Sequence, residues 1–386
     1  MAIDHSKFTL LDHQFMACAI QLAKKGHFTT SPNPRVGCVI VKDNKVVGEG
    51  FHAKAGQGHA EVNALAQAGT KANGATAYVT LEPCSHFGRT PPCAQALINA
   101  GISKVICAMV DPNPKVSGKG LAILNKAGIE TQSGLLELDA YALNVGFINL
   151  MTKNMPYVRC KLAASLDGKT AMANGESQWI TSSDARKDVQ RLRAQSCAII
   201  AGADSIIADN ARMTVRWAEL NVPPKSYPEA ELRQPVRVII DTKNRLTPNL
   251  ALFNDETAPS NVILIRNTIE NTHQWPHFVE QVSVPMTTSG HADLHADLHA
   301  VLALLAKRGL NDVLLEAGKT LAGAFIEQNL VDELILYQAP KLMANNAQGL
   351  VNMPSIAQLS QAKALTFKDV TMLGIDLRIT AVFKAP

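Results

Sequence analysis

The order of apolar and polar positions predicts two consecutive series of alternating helices and strands. Apolar residues recur at helical spacing over 12–25 and stop at Gly26, a residue type that favours a helix end. The runs 36–41 and 45–50 flank Asp43-Asn44 and predict a β-hairpin. A helix is expected from residue 59, a strand over 75–81, and a helix from Pro91-Pro92 through residue 100. A buried strand at 104–110, a helix at 118–127 and a short strand at 128–131 follow. The pattern breaks at 150–156, a polar stretch closed by Pro156, which sets the expected boundary between a first domain, 1–150, and a second, 151–386. Beyond it the spacing predicts strands at 157–163, 197–201, 236–240, 262–265, 313–316, 333–338 and 375–382, with helices at 183–195, 294–307 and 321–328. Strands alternating with helices at these distances define an α/β protein.

Composition adds limits to this picture. A chain of 386 residues is long enough for two cores, and 47% apolar with 18% charged residues marks a globular chain and not a disordered one. The net charge of +4 is too small to imply nucleic-acid binding but suits a small phosphorylated substrate. The 7 cysteines form an odd set without the spacing of a small disulfide framework, and those inside apolar runs, such as Cys38 and Cys197, read as reduced buried thiols. The N-terminal residues lack a basic segment followed by an apolar run, and no apolar run reaches membrane-spanning length. A cytoplasmic enzyme without a membrane partner is therefore expected. The duplicated HADLHADLHA at 291–300 would put His291, His295 and His299 on one helical face. No cysteine or acidic cluster completes a metal site there, and a solvated helix start accounts for the segment.

The chemistry concentrates between His59 and Cys93. His59 and Glu61 stand at a predicted helix start, and Cys84 and Cys93 follow a predicted strand. One imidazole and two thiolates on a tetrahedral zinc leave a position for water, as a catalytic site requires. A helix N-terminus at each ligand segment favours thiolate and so metal binding. Glu61 is the spare carboxylate. It is expected to take a proton from the attacking water and return it to a departing amine, the chemistry of zinc deaminases. A structural zinc site is the alternative that these residues alone leave open.

Short-form deaminases carry C-x-x-C, whereas eight residues, SHFGRTPP, separate Cys84 from Cys93 here. EPCSHFGRTPPC, together with GEGFHAKAGQGHAEVNAL and SPNPRVGCVIV, resembles the deaminase half of the bifunctional riboflavin-biosynthesis deaminase–reductases. In the second half, KLAASLDGKTAMANGESQWITS, SIIADNARMTVR and LLEAGKTLAG resemble that family's reductase segments. The resemblance covers almost the whole chain. It implies a cytidine-deaminase-like three-layer domain followed by a dihydrofolate-reductase-like α/β domain, with one Zn2+ per chain and NADPH as cofactors. The implied reactions are hydrolytic deamination of 2,5-diamino-6-ribosylamino-4(3H)-pyrimidinone 5′-phosphate, then reduction of the product's ribosyl group to ribityl by hydride delivery to C1′.

Residue by residue, the resemblance implies zinc ligands His59, Cys84 and Cys93, with Glu61 catalytic. Asn33, His52, His86 and Arg89 would contact the deaminase substrate. In the reductase, Ala163, Trp179, Ser205 and Asp209 would lie at the cofactor, and Ser177, Arg193, Met213, Arg216 and Glu316 at the substrate, with Arg193 on its phosphate. Gly318, Lys319, Thr320, Leu321, Ala322 and Gly323 would form the cofactor-phosphate turn, where glycine lets backbone N–H groups approach closely. The chain departs from the pattern at Asn210-Ala211, where many relatives have Asp-Pro, and at Ser205, where threonine is common. A homo-oligomer, dimer or tetramer, is expected, because enzymes of this kind are usually symmetric assemblies. A nucleoside or transfer-RNA deaminase with a non-reducing second domain is the competing expectation, opposed by the long cysteine insert and the modest charge. A zinc-stabilised binding protein without turnover is a third.

Overall fold

In a computed structural model the described residues are 7–85, 92–114, 116–222, 227–254, 261–270, 272–287 and 295–384. The chain forms two compact units, Met1–Asn154 and Met155–Pro386. The division falls after Asn154 and not at residue 150, because a helix, Val145–Lys153, runs through the expected boundary and ends in a left-handed Asn154.

The first unit runs α1 (Leu10–Lys24), β1 (Gly37–Lys42), β2 (Lys45–Phe51), α2 (Ala60–Ala68), β3 (Thr76–Val79), α3 (Cys93–Asn99), β4 (Lys104–Cys107), α4 (Lys119–Lys126), β5 (Glu130–Ser133), α5 (Glu137–Leu143) and α6 (Val145–Lys153). Thr9 and Asp12 close a capping box at the start of α1. Asp43 and Asn44 both adopt positive φ, the geometry a two-residue hairpin turn needs, so β1 and β2 pair antiparallel as the sequence predicts. The sheet order is β2-β1-β3-β4-β5, with β3, β4 and β5 parallel. Alternate strand residues feed two cores. Val39, Tyr78 and Ile106 meet Met16, Leu143 and Ile148 on one face, and Ile40, Val79 and Val105 meet Ala64, Leu97 and Leu124 on the other. The result is a three-layer α/β/α unit.

The second unit runs β6 (Tyr157–Ser165), β7 (Lys169–Ala171), α7 (Ser183–Gln195), β8 (Ala198–Gly202), α8 (Ala203–Asp209), β9 (Val236–Ile240), β10 (Val262–Arg266), β11 (Val279–Ser283), β12 (Met286–Thr287), β13 (His295–Ala296), α9 (Leu298–Lys307), β14 (Asp312–Glu316), α10 (Lys319–Glu327), β15 (Glu333–Ala339), β16 (Gln348–Gly349), β17 (Leu365–Leu373) and β18 (Asp376–Phe383). Its nine-stranded sheet is ordered β11-β10-β9-β8-β14-β6-β15-β18-β17. The strands from β11 through β15 in that order are parallel, and the β17–β18 hairpin is antiparallel at one edge. Both faces are covered, which explains the near-continuous apolar runs of β8, β10 and β14. Leu302, Leu305 and Phe325 of α9 and α10 pack on one face; Val189 and Leu192 of α7 with Ile206 of α8 pack on the other.

Helix α9 starts at Leu298 and not at 294, because the side chain of Asp297 caps it by accepting from the Ala300 N–H. Residue 295 belongs to β13 and His299 to α9, while His291 lies outside the described residues, so the repeat does not form one helical face. Among the described residues no helix is long and apolar enough to cross a membrane.

Candidate functional site

In the first unit, α2 and α3 bring the metal-type side chains together. His59 is the N-cap of α2, and Cys93 is the first residue of α3. Cys84 follows β3, and its Sγ accepts from the Cys93 backbone N–H at 3.2 Å. His59 Nδ1 lies 3.1 Å from Cys93 Sγ and 3.6 Å from Cys84 Sγ, and all three ligand atoms fall within 4.8 Å of one another. Tetrahedral zinc bonds of ~2.0–2.3 Å place neighbouring ligand atoms about 3.5 Å apart, so this donor set fits zinc without rearrangement. Hydrogen bonding from Cys93, with help from His59, pulls the Cys84 thiol down to about 4, while the same bond and burial push Cys93 far up. A hydrogen bond to Cys84 raises His59 against the effect of its burial.

Glu61, in the first turn of α2, is 3% exposed, and burial pushes its carboxyl up to about 7. Its carboxylate also hydrogen-bonds with the Cys93 side chain. A buried carboxyl at the cluster, titrating close to neutrality, is suited to carrying a proton in both directions. Asn33 and His52 adjoin this cluster. Asn33 Nδ2 lies 3.2 Å from His52 Nε2, His52 Nδ1 lies 3.2 Å from the Gly58 carbonyl, and the His52 and His59 rings meet edge to face at 5.2 Å. Burial lowers the pKa of His52, and the two contacts define a neutral ring that accepts at Nε2 and donates from Nδ1. His86 and Arg89 lie outside the described residues.

In the second unit, the C-terminal ends of β6, β8 and β14 converge with the N-terminus of α10, the edge of a parallel sheet where ligands of such folds bind. Gly318 is the N-cap of α10 and brings no side-chain cap, which leaves backbone N–H groups free for an anion. A Cβ at Gly318 would lie 3.5 Å from Ser205 Oγ, and one at Gly202 would lie 3.6 Å from Leu321 Cδ2. The turn thus meets α8 closely, and its donor set fits the pyrophosphate of a dinucleotide. Lys319 and Thr320 occupy the first turn, whereas Ala322 and Gly323 are buried. A Cβ at Gly323 would come 2.0 Å from the Asn352 carbonyl oxygen, so this glycine serves helix packing and not phosphate approach.

The 166–181 segment is tied to the same edge. Gln178 Nε2 donates to Asp209 Oδ1 at 3.0 Å, and Lys341 Nζ donates to the Trp179 carbonyl at 3.0 Å. Trp179 is 63% exposed with the Arg186 guanidinium stacked 4.5 Å from its ring centre, so it is a surface ring and not a core residue. Ser177, just before these anchors, is half-buried. Asn210 takes the left-handed conformation that ends α8, and its Oδ1 accepts from the Ala251 N–H at 2.8 Å. An asparagine tolerates this conformation, so it can end the helix here.

The two arginines have different partners. Arg193 grips Glu316 bidentately at 2.6 and 2.9 Å and donates to the Thr214 carbonyl at 2.9 Å. Three of its five N–H groups are thereby occupied, two of them on Glu316. Burial alone would raise Glu316, but Arg193 holds it below the ordinary carboxylate range. Arg216 pairs with Glu219 at 2.6 and 2.9 Å and remains half-exposed, while Met213 is buried in the core. Sequence reasoning missed Lys161. It stands two residues before Ala163 on the same face of β6, and the charges of Glu316, Arg193 and Asp209 act on it. Burial lowers its pKa, with Glu316 opposing. A charged residue alternating with Ala163 inside an apolar strand was the available signal.

A zinc-type cluster with a buried carboxylate on one α/β unit, and a dinucleotide-type sheet edge on another, define a two-domain enzyme joining hydrolysis to redox chemistry. Profiles of two families match accordingly: the cytidine and deoxycytidylate deaminase zinc-binding region over residues 10–109, and the RibD C-terminal domain over 156–378. The riboflavin biosynthesis protein RibD of Escherichia coli is 50% identical over 367 residues, covering 95% of this chain and 98% of its own. Among solved structures, Acinetobacter baumannii RibD aligns with a TM-score of 0.87 at 44% identity, covering 97% of this chain and 99% of its own. The diaminohydroxyphosphoribosylaminopyrimidine deaminase/5-amino-6-(5-phosphoribosylamino)uracil reductase of Thermotoga maritima aligns with a TM-score of 0.83 at 32% identity, over 97% of this chain and 99% of its own. The chain belongs to the RibD family of riboflavin biosynthesis proteins. It is a bifunctional enzyme, a zinc-dependent pyrimidine deaminase and an NADPH-dependent reductase, and the RibD C-terminal match sets aside a non-reducing second domain.

Proposed function

We propose that the first unit carries out the deamination at the His59–Cys84–Cys93 cluster and the second the reduction at the β6–β8–β14 edge. The observation that carries the first assignment is a ligand set already within 4.8 Å, with the buried carboxylate of Glu61 at its side. Zinc held there by His59 Nδ1, Cys84 Sγ and Cys93 Sγ supplies a water that is acidic near neutral pH. Glu61 receives a proton from the attacking water as oxygen bonds to the ring carbon, and returns it to the amine that leaves as ammonia. Asn33 and His52 orient the pyrimidine ring through the amide and imidazole edges that face His59. His86 and Arg89 are assigned to substrate contact from the sequence alone.

In the second unit the α10 N-terminus, with Gly318, Lys319 and Thr320, holds the dinucleotide phosphates, and Ser205, Asp209, Ala163 and Trp179 flank the remainder. NADPH supplies the hydride that C1′ receives. As the C1′–O4′ bond opens, Lys161 is placed to give O4′ its proton, while Arg193 and Glu316 fix the charge around that ammonium. Ser177 and Arg216 border the substrate side, with Arg216 the exposed cation for the 5′-phosphate, while Met213 supports them from the core. The substrate is therefore a small phosphorylated pyrimidine and not a nucleic acid. The chain works in the cytoplasm as a symmetric assembly.

A coupled assay tests this assignment. The purified chain releases ammonia from the diaminopyrimidine phosphate and then oxidises NADPH. Glu61→Gln keeps its zinc, loses about 10²–10⁴-fold in deamination, and still oxidises NADPH when given the deaminated pyrimidine. Loss of zinc or of NADPH oxidation in that variant overturns the division of labour.

A further inference from the structure

Glu82 lies two residues before Cys84, is 3% exposed, and takes no part in the metal-type cluster. Its carboxylate accepts four backbone N–H groups. Oε2 takes Asp111 at 3.1 Å and Gly118 at 2.9 Å; Oε1 takes Gly120 at 2.8 Å and Leu121 at 3.2 Å. These donors belong to the loop after β4 and to the first turn of α4, whose own N-cap, Gly118, has no side chain to offer. One carboxylate from the loop after β3 thus satisfies orphan N–H groups of that helix, where its charge also meets the favourable end of the dipole.

The contact reaches the metal loop itself. A Cβ at Gly120 would come 2.0 Å from the Pro83 carbonyl oxygen, so α4 rests directly on the peptide leading into Cys84. The Glu82 N–H donates to the Met109 carbonyl at 3.0 Å, and on the far side the Ala94 N–H donates to the Cys84 carbonyl at 3.2 Å. Cys84 is held from both directions, and on the approach side the hold combines the hydrogen bonds of Glu82 with the close approach of Gly120 to the Pro83 carbonyl.

We infer that Glu82 is a positioning residue of the metal centre, holding the Cys84 sulfur at ligand distance by binding α4 and the 109–118 loop to the turn before it. The inference rests on reading His59, Cys84 and Cys93 as the zinc ligands. A helix cap alone would affect folding stability; a positioning residue also governs how firmly the metal is kept. Glu82→Gln keeps the shape but turns an NH2 group towards N–H donors, so two of the four lose their acceptor. Groups that orient metal ligands commonly change affinity by about 10–100-fold when altered.

The test is zinc transfer from the full-length protein to a chromophoric chelator, alongside thiolate-to-metal charge-transfer spectra of the cobalt-loaded form. Glu82→Gln releases zinc at least about tenfold faster and alters the cobalt spectrum, and Gly120→Ala, which keeps the carboxylate but displaces α4, does the same. Thr9→Ala, which removes the capping box of α1 in the same unit, lowers the melting temperature without changing zinc release. Unchanged release in Glu82→Gln overturns the inference, as does acceleration matched by Thr9→Ala. Should Glu82→Gln not fold, Gly120→Ala alone decides by the same criterion. A parent protein that holds no zinc would instead overturn the ligand reading beneath it.

Discussion

A lysine within the sheet between Cys160 and Leu162 costs burial energy that a structural role does not require. Burial lowers the Lys161 pKa, Glu316 restores part of the charge, and Arg193 opposes it. An ammonium so placed gives up its proton more readily than an exposed one, which suits a donor to a forming alkoxide. The sign for pH follows. With Lys161 as the proposed donor its protonated form is the active one, so the reductase rate is expected to fall as pH rises through the Lys161 pKa, and that limb lies below the free-lysine value of 10.5. Lys161→Met removes the limb and lowers kcat by about 10²–10⁴-fold, leaving deamination intact. A pH–rate profile of NADPH oxidation with the deaminated pyrimidine checks this; an unmoved limb in the variant excludes the lysine. His59, Glu61, Cys84 and Cys93 were legible in the sequence because each lies in a local pattern of helix start, strand and loop. Lys161, the Glu316-bound state of Arg193 and the four donors on Glu82 were not, because each depends on which strands and helices the fold makes neighbours.

Elements were legible where turn chemistry and periodicity agree. The β1–β2 hairpin follows from Asp43-Asn44, and the helix over 183–195 appears with the expected bounds. Helices α5 and α6 escaped because each is short, and Asn144 divides 137–153 into two of them. Strand β17 escaped because most of its residues are exposed on both faces and show no alternation. The packing of α2 on the hairpin makes its own prediction. A Cβ at Gly50 would come 2.3 Å from the Ala60 carbonyl oxygen and 2.5 Å from the Ala64 nitrogen, backbone atoms of the helix that carries Glu61 and follows His59. Gly50→Ala must push α2 away from β2. It costs on the order of 1–3 kcal/mol, as overpacking does, and because the displacement falls on the ligand-bearing end it also lowers zinc content. Urea unfolding with zinc quantified in the same sample measures both, and a variant of parental stability and full zinc occupancy would show that the helix yields at no cost.

At the scale of the whole molecule, each unit has filled its own cores, and one of the sheet edges carries exposed apolar side chains. Strand β17 ends the nine-stranded sheet over nine residues, and its Phe367, Val370 and Met372 are 70%, 54% and 61% exposed. Soluble proteins guard such edges with charge, proline or a covering element. Here Lys368 is the only cation within the strand, and it is drawn to Glu333 at 3.3 Å. A second copy laid against the same strand across a two-fold axis would pair the open backbone and cover these three side chains, since a two-fold interface brings one patch against itself. Light scattering should therefore give the intact chain a mass that is a multiple of one copy. Phe367→Lys combined with Val370→Lys should shift it towards the monomer at micromolar concentration, with the zinc content and deamination of the first unit unchanged. A parent chain that runs as a monomer at high concentration would refute the assembly. A double variant that stays associated would move the interface away from β17.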